Sequence, residues 1–97
     1  MIVRLSPRAI NDLADIADYI RSHNPSAAQR VRTAILDGLE ILARFPNAGR
    51  RQNMENVRKL VIPRYPYLIY YTVDPAEDEV VVVAIQHAAR KREYSDI

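Results

Sequence analysis

Two stretches of the sequence open with the same signal, and together they dictate half of the fold. Ser6-Pro7 and Asn24-Pro25 each put a side-chain acceptor at an N-cap position and a proline at the first helical position. Behind Pro7, apolar residues recur at Ala9, Ile10, Leu13, Ile16, Ala17 and Ile20 with polar residues between them. That period, near 3.6, predicts an amphipathic helix over residues 7–22. Behind Pro25, one face is marked by Ala28, Val31, Ile35, Leu39, Leu42 and Phe45, widened by Ala34, Ile41 and Ala43. This predicts a second helix over 25–45, stopping before Pro46. With so little chain between them, the two helices must fold back as an antiparallel hairpin. Gly38 inside the second costs about 1 kcal/mol against alanine, and close approach to the first helix is the expected compensation.

The pattern then changes. Pro46-Asn47-Ala48-Gly49 is a turn by composition, and 50–56 is polar without a period, so it reads as a loop. Segments 57–62, 67–73 and 80–85 are rich in β-branched and aromatic residues and read as strands, as does Ile2–Leu5 at the start. The links between the last three are short, which favours an antiparallel meander. Val80–Ile85 is apolar on both faces and should lie inside the sheet, covered by the helices on at least one side. The order β-α-α-β-β-β gives an α+β domain: an antiparallel helix hairpin packed on a mainly antiparallel four-stranded sheet. At 97 residues the chain forms a single domain over 1–97.

Composition removes several chemistries. There is no cysteine, and only His23 and His87 could act as imidazole ligands, so neither a metal site nor a cofactor is expected. No apolar run approaches the ~20 residues needed to span a bilayer, no charged segment precedes an apolar leader, and a cytoplasmic protein without a membrane partner is expected. The net charge is only +2, yet it is unevenly spread. Residues 44–64 hold Arg44, Arg50, Arg51, Arg58, Lys59 and Arg64 against Glu55 alone, and Arg90, Lys91 and Arg92 follow in the tail. All cations but Lys59 and Lys91 are arginine, whose guanidinium suits bidentate contact with phosphate or carboxylate. The middle segment and the tail could form one cationic surface; the competing reading is a solvated face.

A resemblance rests on short motifs spread along the chain. They are Asp12-Leu13, Ile16 and Tyr19-Ile20; then Asn24-Pro25 and Ala27-Ala28; then Pro46-x-x-Gly49-Arg50, Val57-Arg58-x-Leu60 and Pro66-Tyr67-x-Ile69-x-Tyr71; and finally Ile85-x-His87-Ala88-x-Arg90. In this order and spacing the sequence resembles the RelE/ParE family of toxins from bacterial type II toxin–antitoxin, or plasmid-stabilisation, systems. The resemblance implies the small α+β fold already derived. It also implies a cognate antitoxin that neutralises the chain in a heteromeric complex and carries the complex to operator DNA. The cationic surface would suit an acidic, flexible antitoxin segment. The family has two branches: ParE-like members inhibit DNA gyrase without cutting nucleic acid, and RelE-like members cleave mRNA on the ribosome. A member that only binds its antitoxin is a third reading.

Metal-free RNA cleavage needs a base, an acid and cations around the phosphate. In the RelE-like reading His87 is the acid or base, Arg58 and Arg90 hold the phosphate, and Tyr94 stacks or donates a proton. Glu55 could assist if it faced His87. RelE resembles a lysine-rich site where this chain carries arginine, which does not deprotonate and makes a poor base. That departure favours the ParE-like branch, in which there are no catalytic residues and Arg50, Arg51, Arg58, Arg90 and Arg92 bind the target or the antitoxin. The structural alternatives are a His87 ring that caps its strand by hydrogen bonding, an Arg58 paired with Asp74 or Glu79, and tyrosines 65, 67, 70 and 71 that pack the sheet.

Overall fold

The computed structural model describes residues 1–89. Strand β1 (Ile2–Leu5) leads into helix α1 (Pro7–His23) and helix α2 (Pro25–Arg44). The chain then forms β2 (Arg50–Arg51), β3 (Val57–Val61), β4 (Tyr67–Asp74) and β5 (Glu79–His87). The sheet order is β1-β5-β4-β3-β2, antiparallel throughout except for the parallel pair β1–β5. The two-layer α+β architecture agrees with the expectation, with one strand more. The segment read as a loop starts with a two-residue strand, in which Arg50 faces Lys59 and Arg51 faces Arg58. Two residues are too few to show a period of two, so this strand leaves no trace in the sequence.

The caps work as their chemistry requires. The Ser6 hydroxyl accepts from the Ala9 amide at 3.1 Å. Asn24 serves both helices: its amide donates to Ile20 O, and its side chain accepts from the Ala27 amide. One residue therefore ends α1 and starts α2, which leaves no slack in the hairpin. Both helices lay their apolar stripes on one face of the sheet. Ala9, Ile20, Val31, Ile35 and Leu42 pack with Tyr67, Ile69, Tyr71, Val80, Val82 and Ile85. Gly38 is not placed against α1 as expected. A Cβ there would sit 2.7 Å from Ile62 Cδ1 and 3.3 Å from Ile69 Cδ1, so the glycine lets α2 approach the sheet.

Strand β5 has one residue too many for its partner. Tyr70 faces Ala84 and Tyr71 faces Val82, so Val83 is a β-bulge. The extra residue keeps both Val82 and Ile85 in the helix-facing core, while Ala84 joins Val57, Leu68 and Tyr70 in a smaller cluster on the opposite face. Around the bulge, the start of α1 engages backbone groups of β5. The Ser6 amide and hydroxyl donate to the carbonyls of Val82 and Val83, at 2.9 and 3.2 Å. The Ile85 amide donates to Asp12 Oδ2 at 3.0 Å. Asp12 is thus the acceptor for a strand amide that has left its ladder. We expect Asp12→Ala to destabilise the fold by about 1–3 kcal/mol, the cost of stranding a shielded donor. Asp15→Ala, one turn on at an exposed position, should change stability by less than about 0.5 kcal/mol in the same denaturant titration.

Candidate functional site

The cationic middle of the chain is organised around one tyrosine. Tyr71 is fully buried, with its ring in the core beneath the helices. Its hydroxyl reaches the turn that follows α2, accepting from the Gly49 amide at 2.7 Å and donating to Pro46 O at 2.8 Å. Gly49 is needed because of that approach: a Cβ would lie 2.5 Å from the hydroxyl oxygen and 2.9 Å from Lys59 O. Arg58 secures the same turn, its Nη1 donating to Gly49 O at 2.8 Å and to Asn47 O at 3.4 Å. Arg58 is therefore not paired across the sheet with Asp74 or Glu79. Glu79 instead takes Arg4, at 2.9 Å.

The turn delivers the chain into β2, which sets four cations face to face. Arg50 opposes Lys59 on one face of the sheet, and Arg51 opposes Arg58 on the other. Like charges directly opposite each other destabilise a strand pair. Among the described residues no carboxylate forms an ion pair with any of the four. Arg51 and Arg58 line a cleft of about 390 Å³ that also includes Asn47, Gln52, Glu55 and Pro75. Arg50 and Arg51 are exposed.

His87 lies elsewhere. It ends β5 opposite Tyr67, whereas Arg58 lies opposite Tyr71. Four residues of β4 separate the two levels, about 13 Å at the rise of a strand. His87 lines a second cleft, about 270 Å³, with Asp12, Asp15, Tyr19 and Tyr67. Its Nδ1 accepts from the Ala89 amide at 3.0 Å, and its ring meets Tyr67 edge-on with centroids 5.4 Å apart. That hydrogen bond assigns the proton of the neutral ring to Nε2 and occupies the Nδ1 lone pair. The ring caps the end of its strand.

Of the residues singled out by sequence, Arg50, Arg51 and Arg58 come together, while Arg58 and His87 do not. Glu55 shares the cleft of Arg58, not that of His87. Arg90, Arg92 and Tyr94 lie outside the described residues. Tyr67, Tyr70 and Tyr71 are buried and serve packing, so they offer no stacking surface for a base. Sequence reasoning counts Lys59 in the cationic segment but does not place it among the binding residues, and it misses the role of Tyr71, since a hydroxyl that ties a turn looks like any other sheet tyrosine.

Burial raises the Tyr71 hydroxyl above the usual tyrosine range, an effect opposed by the Gly49 hydrogen bond and the Arg58 charge. A raised value means that the fold holds this proton more tightly than the unfolded chain does. The resulting stability is complete below the unfolded value, about 10, and is lost as pH rises through the folded one. Thermal unfolding midpoints should therefore fall above about pH 10, and fall less steeply in Tyr71→Phe.

Comparison with known proteins fits this geometry. The family model described as the ParE toxin of the type II toxin–antitoxin system parDE matches residues 3–92. Toxin RelE2 of Caulobacter vibrioides is 40% identical over 83 residues, covering 86% of this chain and 90% of that protein. Putative toxin Y4kP of Sinorhizobium fredii is 33% identical over 86 residues, covering 89% of this chain and 86% of that one. Among solved structures, the chromosomal ParDE system of P. aeruginosa superposes with a TM-score of 0.78 at 23% identity, over 90% of this chain and 95% of that one. The RelBE2 toxin–antitoxin complex of Mycobacterium tuberculosis gives 0.63 at 21% identity, over 92% of each chain. These superpositions show a shared fold, and the family match covers nearly all of the sequence. The chain belongs to the ParE toxin family of type II toxin–antitoxin systems, within the wider RelE/ParE group.

Proposed function

We propose that this toxin acts by binding rather than by cutting, as a ParE-like inhibitor of DNA gyrase that a cognate antitoxin neutralises. The observation that carries this reading is the separation of Arg58 from His87. A phosphate held by the Arg58 guanidinium would be out of reach of the imidazole. Arg58 is also tied to backbone carbonyls, and His87 has its Nδ1 lone pair engaged. What remains is a binding surface: the Arg50, Arg51, Arg58 and Lys59 edge, suited to the acidic groups of a partner protein.

The two like-charged pairs support the same reading. A protein that keeps repelling cations opposite each other loses stability there, and such local conflicts concentrate where function needs them. Lys59→Glu would turn the Arg50 pair from repulsive to attractive. It should stabilise the fold by about 1 kcal/mol and raise Tm by roughly 4–8 °C, while weakening capture of the antitoxin in a pull-down.

The RelE-like reading keeps one observation in its favour, since relatives at 36% and 40% identity carry RelE names. Pulse-labelling separates the two. After the gene is induced alone, labelled thymidine and labelled methionine are followed over the first minutes. We expect DNA synthesis to fall first, purified toxin to inhibit gyrase supercoiling, and His87→Ala to stay toxic. Translation falling first, with toxicity lost in His87→Ala, would replace gyrase by ribosome-bound mRNA.

A further inference from the structure

Strand β2 is too short and too highly charged to hold itself in place. It has two residues, and both of its cross-strand pairs are cation against cation. A pairing this small gains little on its own, and the repulsion works against it. It persists because groups on both sides secure it. On one side Tyr71 bridges Gly49 N and Pro46 O, and Arg58 binds Gly49 O. On the other, the Gln52 side chain donates to the carbonyls of Arg50 and Arg51, at 2.9 and 3.0 Å, and its amide donates to Val57 O at 3.0 Å. Of these groups Tyr71 is the most firmly fixed, because its ring is immobilised in the core while only the hydroxyl reaches the turn.

We propose that the Tyr71 hydroxyl is a positioning group, which assembles the Arg50–Arg51–Arg58–Lys59 edge in the free protein so that an acidic peptide segment meets it ready-made. This rests on the reading of that edge as a binding surface. The physical gain is preorganisation. Without the hydroxyl, the repelling pairs would part, and a partner would have to gather the cations as it bound. Tyr71 itself touches no partner; it acts through Gly49 and the two residues that follow. The close fit at Gly49 belongs to the same device, since any side chain there would push the hydroxyl away.

Tyr71→Phe removes the hydroxyl and keeps the ring in the core. Amide hydrogen exchange of the free protein is the first readout. The Gly49 and Gln52 amides should exchange at least about tenfold faster in the variant, while Ile69 and Ala84 in the sheet centre change much less. A purely structural role would speed all four alike through loss of global stability. The second readout is the affinity of a short oligoglutamate peptide at low salt, expected to fall about tenfold in Tyr71→Phe. Gly49→Ala, which keeps the hydroxyl but pushes it off the turn, should reproduce both effects. Uniform acceleration of exchange, or local loosening with peptide affinity intact, would overturn the inference. If the wild-type protein ignores the peptide, the acidic-partner reading of the edge fails, whereas the exchange comparison still decides the clamp.

Discussion

The bulge at Val83 is the constraint on which the rest of the structure depends. A regular strand would send alternate side chains of β5 to opposite faces, so Val82 and Ile85 could not both face the helices. The extra residue shifts the phase, and the sheet gains an unbroken apolar floor for α1 and α2. It also leaves a strand amide outside its ladder, and α1 supplies the acceptor through Asp12. Helix placement and strand irregularity are thus two sides of one arrangement, stitched at Ser6 and Asp12. With α1 fixed, the single-residue link at Asn24 leaves α2 little choice of direction, and the end of α2 sets where the Pro46–Gly49 turn must land.

That chain of constraints separates two chemically different clefts. Between the middle of α1 and the end of β5, two carboxylates share a cleft with His87 and two tyrosine rings. Beyond the end of α2, Arg51 and Arg58 line the other cleft, with Glu55 its one acid. The separation follows from topology: β5 ends at the level where β4 begins, while β2 joins β3 at the level of Tyr71 and Tyr70. Residues that look like one constellation when read in sequence order are thereby divided between sites of opposite sign. For a positively charged edge this has a use: Asp12 and Asp15 are held in the other cleft, and Glu55, though it lines the cationic one, forms no ion pair with Arg50 or Arg51, so their field stays available to a partner.

Much of this was legible beforehand, and the limits follow a physical rule. The helices were readable because capping and periodicity are local: Ser6-Pro7, Asn24-Pro25 and the 3.6-residue stripe specify them without reference to the rest of the chain. Strands β3, β4 and β5 were readable from β-branched and aromatic runs. Two-residue β2 was not, because it exists only through pairing with β3 and the tie to Tyr71. The Gly38 contact was assigned to the wrong neighbour, because sequence shows that a close approach occurs but not with what. The partners of Arg58 were missed for a similar reason. Charge suggested a carboxylate, whereas the structure supplies backbone carbonyls exposed by a turn.

The pairing of β1 with β5 has a bearing on how the chain comes to be folded at all. Arg4 and Glu79 meet across a sequence separation of 75 residues, and among the described residues the strand carrying Arg4 pairs with β5 alone. A nascent chain can form its helix hairpin early, since those contacts are local, but the floor beneath the hairpin is incomplete until β5 has left the ribosome. Until then the two amphipathic helices have no complete sheet to lie on. The ordered cationic edge depends on Tyr71 being fixed in that floor, so a product truncated before β5 would lack it.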